Sequence, residues 1–138
     1  MAKRTLYAYV SGDKNGAPIV HDDSVVAAVE QRLDALVAAR KWIAQEVWVV
    51  NQREPPYWDL GLNLIVPTAR ARAVTFVDDD VVAVANELAA LYRETSRPFV
   101  IGLHDAAADK TIDLFTVDSE HPDLEQLRTA IRQSLTTT

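Results

Sequence analysis

Val47-Trp48-Val49-Val50-Asn51-Gln52-Arg53-Glu54-Pro55-Pro56-Tyr57-Trp58-Asp59-Leu60-Gly61-Leu62-Asn63-Leu64-Ile65-Val66 is the stretch on which the reading of the whole chain turns. Val47 to Val50 are apolar at successive positions, the pattern of a strand covered on both faces. Leu60, Leu62, Leu64 and Val66 instead recur at every second residue, which places them together on one face of a half-buried strand. Pro55-Pro56 cannot continue a ladder, so Glu54 to Trp58 is expected to turn. Ile43 to Val66 therefore reads as the antiparallel centre of a sheet, with Trp48 in its core.

Towards the N-terminus, Thr5 to Val10 is rich in β-formers and predicts a strand. Asn15-Gly16 is a turn signal, and Ala17 to His21 could return as an edge partner restricted by Pro18. Asp22-Asp23-Ser24 is expected to cap a helix reaching about Lys41, with Val25, Val29, Leu33, Leu36 and Val37 along one side. In the other direction, Pro67 to Arg72 predicts a turn and Ala73 to Val77 a third strand. Asp78-Asp79-Asp80 would cap a second helix that turns Val81, Val84, Leu88, Leu91 and Tyr92 inward and ends near Thr95. Phe99 to His104 and Thr111 to Val117 form a hairpin pattern, and Pro122 suits the first turn of a last helix burying Leu124, Leu127, Ile131 and Leu135.

The expected order is β-α-β-β-β-α-β-β-α. Strands that come in runs between helices favour an α+β domain, a mainly antiparallel sheet of about five to six strands packed by three helices. With 138 residues and no linker or repeat, residues 1–138 read as a single domain. A chain of this size buries roughly two thirds of its unfolded surface. The absence of cysteine excludes thiol chemistry and Cys-based metal centres. No apolar run approaches the ~20 residues of a membrane span, so a cytoplasmic protein without membrane contact is expected.

The net charge of −6 argues against generic nucleic-acid binding, which rests on basic patches that displace counterions. Much of the acidity has a structural explanation in the reading above. Asp22, Asp23, Asp78, Asp79, Asp80, Asp118, Glu120, Asp123 and Glu125 fall at expected helix entrances, where carboxylates satisfy free N–H groups and complement the helix dipole. Without these nine, 11 acidic residues face 14 Lys and Arg.

Motifs for nucleotide, zinc and nucleophile chemistry are missing: there is no P-loop, no G-x-G-x-x-G, no H-E-x-x-H and no G-x-S-x-G. Asp13-Lys14-Asn15-Gly16 lacks the closing ligands of a calcium loop, so neither metal nor cofactor is expected. His21, His104 and His121 each stand near an aspartate, and His104-Asp105 is the pair closest to an acid–base dyad. Arg70-Ala71-Arg72 could meet an anion, although arginines in a turn are commonly just solvated. Trp42, Tyr57 and Trp58 stand at a helix end and a proline turn, where an aromatic ring can anchor a protein interface.

The expectation for function is a non-enzymatic acidic domain that binds another protein of basic character. It resembles, at the level of class, the toxin-neutralising immunity proteins that cover a basic active site. Among the 11 carboxylates that capping does not explain, Glu46, Glu54, Asp59, Asp105, Asp109 and Asp113, together with Trp58, are the expected contact surface. From Ser24 onward the element order is also similar to that of the type III secretion chaperones, which implies a homodimer holding an effector segment. An enzyme, such as a small hydrolase, using His104 with Asp105 or another carboxylate is the third expectation.

Overall fold

The structure, a computed structural model, describes residues 3–11, 23–54 and 57–136, with backbone alone for 53, 54, 57 and 58. The expected turn at Asn15-Gly16, the edge segment 17–21, the Asp22 cap, His21 and Pro55-Pro56 lie outside the described residues. Five strands form one antiparallel sheet in the order β2-β3-β1-β4-β5. They are β1 (Arg4–Val10), β2 (Val47–Glu54), β3 (Tyr57–Ile65), β4 (Phe99–Asp105) and β5 (Lys110–Val117). The expected α+β class is the one observed.

Three helical bodies cover one face of this sheet. They are α1 (Asp23–Ala39), α4 (Leu124–Thr136), and a continuous run in which α2 (Arg70–Phe76) passes through a π-turn (Val77–Val81) into α3 (Val82–Thr95). The alternation in β1 follows the sequence: Leu6, Ala8 and Val10 point into the helices, as do Leu60, Leu62 and Leu64 of β3 and Phe99, Ile101 and Leu103 of β4. They meet Val25, Val29 and Leu33 of α1, Val84, Leu88 and Leu91 of α3, and Leu127 and Ile131 of α4 in one continuous core. At about 1.5–3 kcal/mol for each large side chain taken fully out of water, this interior dominates the stability of the fold.

The third strand expected over Ala73 to Val77 is a helix instead. Val74, Thr75, Phe76 and Val77 have strand propensity, but tertiary packing overrides it. Burial recurs in pairs at residues 76–77, 80–81, 84–85 and 88–89, every fourth residue. A stripe of that spacing drifts around an ordinary helix of 3.6 residues per turn, and the wider π-turn takes up part of the drift. Because Phe76 and Val77 already have right-handed helical dihedrals, no helix begins at Asp78 and the triplet has no helix start to cap. Asp78 pairs with Arg132 of α4. Asp80 is fully buried, and its carboxylate accepts from the N–H groups of Ile43 (3.2 Å) and Ala44 (2.7 Å) and from Arg40 (3.1 Å).

Two further expectations change. The centre of the sheet is β1, paired antiparallel with both β3 and β4, while the β2–β3 hairpin lies to one side with β2 at the edge. Trp48 is therefore not core; it is 39% exposed. At the other end of the chain Asp123 accepts from the N–H of Gln126 at 3.0 Å and caps α4 as expected, while Pro122, expected at the first position of that helix, stands just before the cap.

Candidate functional site

Among the described residues every helical body lies on one side, so the opposite face of the sheet carries no helix, and the strand register dictates what it displays. One row crosses all five strands: Trp48, Asn63, Tyr7, Gly102 and Asp113. The next row is Val50, Gly61, Tyr9, Val100 and Thr116. Beyond it lie Gln52 and Asp59, and on the other side Thr5, His104 and Thr111.

Tyr7 and Tyr9 are two residues apart on the central strand, so they project side by side. Their ring centroids are 5.3 Å apart with planes inclined at 32°. The Tyr7 hydroxyl donates to the Asp113 carboxylate on β5, and the Tyr9 hydroxyl donates to Asn63 Oδ1 on β3 at 2.5 Å. Gly102 makes the first contact possible: a Cβ there would lie 2.2 Å from the Tyr7 hydroxyl oxygen. The Tyr7 ring thus settles against bare backbone and is only 7% exposed.

Both phenols hold their protons more firmly than a free tyrosine. Burial pushes Tyr7 up, and the hydrogen bond and negative charge of Asp113 push it further. Burial also raises Tyr9; the Asn63 hydrogen bond opposes that and Asp59 adds to it. At neutral pH these are neutral donors already engaged to acceptors, which suits recognition rather than nucleophilic attack.

The acidity continues around the β5 edge. A groove of about 490 Å³ runs between β5 and the start of α4, lined by Asp113, Leu114, Thr116, Asp118 and Asp123 among others, and no Lys or Arg lines it among the described residues. No Lys or Arg stands in the open-face rows either, among the described residues.

The structure distributes the expected contact residues rather than gathering them. Asp59 and Asp113 share the open face. Glu46 is exposed just before β2, at the end of the sheet where β1 begins. Asp105 and Asp109 belong to the β4–β5 turn at that same end. Asp105 Oδ1 accepts from the amides of Ala107 and Ala108, and Asp109 has a φ of 46°. They stand roughly 20 Å from the Asp59 end, given ~3.3 Å per residue along a strand. The side chains of Glu54 and Trp58 lie outside the described residues.

His104 and Asp105, the expected dyad, diverge because neighbours on a strand point to opposite faces. The His104 Nδ1 lies 2.8 Å from Thr111 Oγ1, while Asp105 is turned into its own loop. Trp42, expected as a partly exposed aromatic, closes the end of α1: its Nε1 donates to Val37 O at 3.1 Å, and Arg40 stacks 4.8 Å from its ring centroid.

Sequence reading missed Tyr7, Tyr9 and Trp48 as members of this face. The signal existed in β1, where tyrosines alternate with Leu6, Ala8 and Val10. Among the described residues, no three His, Asp or Glu side chains are grouped so as to hold a metal ion, and no helix is long and apolar enough to cross a membrane. Comparison with known proteins adds no relative: no family model, curated protein or solved structure matches this chain significantly.

Proposed function

We propose that this chain is a non-enzymatic acidic binding domain for a basic protein, acting in the manner of an immunity protein that covers a toxin's active site. The observation that carries the reading is the composition of the uncovered sheet face and the adjoining β5 edge. Asp113, Asp118 and Asp123 line the groove at that edge with no Lys or Arg among its described lining residues, and Asp59 and the Trp48 and Tyr9 rings stand on the adjoining face. Such a surface raises the encounter rate with a cationic partner and disfavours acidic competitors. Aromatic rings on a rigid sheet then add contact area at little conformational cost. The same reading puts the protein in the cytoplasm.

The alternatives find less support. The similarity to type III secretion chaperones rests on an element order with three strands after the first helix, and only β2 and β3 are present there before α2. The hydrolase reading draws on His104 with Asp105 or another carboxylate, and the divergence of His104 and Asp105 gives that pair no support.

The test is retention of proteins from the source cell's lysate by the wild-type chain and by a D59K/D113K variant, with each retained protein identified by mass. A basic protein held by the wild type and lost by the variant, with D113N retaining it, supports the proposal. Equal retention by the charge-reversed variant, or capture of acidic proteins alone, overturns it.

A further inference from the structure

The helical side of the molecule carries a feature of opposite character. A cleft of about 260 Å³ opens between α2 and α4, and three guanidinium groups line it: Arg4 from β1, Arg70 from the start of α2, and Arg132 from α4. In a chain of net charge −6, no acidic side chain lines this cleft among the described residues. Its remaining walls include Thr68, Val74, Val77 and Leu135. Val74 is 52% exposed, an apolar side chain presented at the mouth with nothing described above it.

The three arginines are held to different degrees. Arg4 donates through Nη1 to the carbonyl of Leu135 at 2.9 Å, which fixes its direction at the end of α4. Arg132 is paired with Asp78. Arg70 is exposed and has no ion pair among the described residues. A guanidinium has five donors in a planar fork, so the single bonds made by Arg4 and Arg132 leave donors for a further acceptor.

We propose that this cleft is a carboxylate-binding pocket for an acid with a short aliphatic body. The planar fork of Arg70 matches a carboxylate in a two-point contact, with Arg4 adding positive charge and Arg132, already paired with Asp78, adding N–H donors. Val74, Val77 and Leu135 receive the aliphatic part. The volume lies below that of pockets for drug-sized ligands, which limits the body to a few carbon atoms. A bulky or strongly hydrated anion would leave the valine and leucine walls unused. A free short-chain acid and the C-terminal residue of a peptide present the same chemistry. The pocket is independent of the acidic face on the other side of the sheet, so either assignment can fail alone.

The experiment is a titration of the ¹⁵N-labelled full chain followed by amide shifts, with butyrate, N-acetyl-Val-Val, its C-terminal amide, and inorganic phosphate as probes. Butyrate or the free-acid dipeptide should give saturable shifts at Thr68, Arg70, Val74 and Leu135, and the amide should give none. Tighter binding of the dipeptide than of butyrate identifies a peptide C-terminus as the source; equal binding identifies a free acid. R70Q should weaken the binding about tenfold or more, the scale of a hydrogen bond to a charged group. V74D, at an exposed position that tolerates a polar side chain, should abolish it while leaving distant amides unshifted. Absence of saturable shifts, equal shifts with the amide or with phosphate, or unaltered affinity in R70Q would overturn the proposal.

Discussion

Asp80 and Arg40 join the π-turn to the segment after α1 through a 3.1 Å ion pair in which the carboxylate is wholly buried and the guanidinium is partly open to solvent. The same carboxylate accepts the Ile43 and Ala44 amides, so one side chain serves three donors from a single stretch of chain. D80A leaves both amides without that partner and Arg40 without its counter-ion. A loss of about 2–5 kcal/mol is expected, from about 1–3 kcal/mol for each of the two amides left without an acceptor. R40A removes one of three donors and leaves the buried carboxylate without its cation, so its loss should be substantial but smaller, because Asp80 keeps two amide donors. Urea unfolding of the two variants checks this ordering, and a D80A loss no larger than that of R40A would refute it.

Two glycines let the strands and the tyrosines approach. At Gly61 an added Cβ would sit 1.9 Å from the carbonyl oxygen of Ala8, which is backbone of the central strand and cannot swing aside. At Gly102 the obstacles are the Tyr7 hydroxyl at 2.2 Å and the Ile112 carbonyl at 2.4 Å. G61A is therefore expected to lose about 3 kcal/mol or more, the upper range for overpacking. G102A should lose less and should also displace the Tyr7 ring, visible as an altered near-ultraviolet circular dichroism signal. G61A unfolding at wild-type denaturant concentration would rule out the close β1–β3 approach.

These particulars mark how far the residues alone could be read. The alternation of Leu60, Leu62 and Leu64, and the helical spacing of Val25, Val29 and Leu33, carried the class of the fold because each pattern is local. Ala73 to Val77 misled because its β-branched residues favour a strand, while the deciding evidence was a four-residue recurrence running on to Leu88. Asp80 hid that recurrence by standing where an apolar residue would have been expected, its burial made tolerable by donors 36 to 40 residues away. Trp48 misled for another reason: four apolar-looking positions in a row do not say whether a strand is central or at an edge. The open face needed the strand order, since Asp113 and Tyr7 are 106 residues apart in sequence.

Tyr7 gives the fold a distinct alkaline limb. Its proton is bound more tightly in the folded chain than in the unfolded one, whose ordinary value is 10.0. Below that value the contribution is fully present. Above it the unfolded chain releases the proton while the folded chain holds it, so stability declines towards the raised folded-state value. The ceiling on this effect is about 1.4 kcal/mol per pH unit for each tyrosine. Y7F removes the ionisable group, so its stability should fall less steeply between neutral pH and the alkaline range. At neutral pH the variant should lose about 0.5–1.5 kcal/mol for the missing hydrogen bond. Parallel pH profiles for wild type and Y7F in denaturant unfolding would contradict this account.

Trp48 and Leu62 lie one strand apart on opposite faces of the same hairpin, Trp48 paired with Asn63 and 39% exposed, Leu62 fully buried. If the face carrying Trp48 serves recognition and the face carrying Leu62 holds the core, the two substitutions should separate stability from binding. L62A is expected to cost about 2–5 kcal/mol, the range for truncating a buried leucine. W48S should cost less than L62A, since 39% of Trp48 stays in water in the folded chain while Leu62 is fully buried. For the basic partner retained by the wild type, W48S should weaken binding by about tenfold or more, as expected for an aromatic anchor at the centre of an interface. A destabilised W48S matching L62A would mean that the ring is packed, and it would remove the exposed aromatic from the proposed binding face.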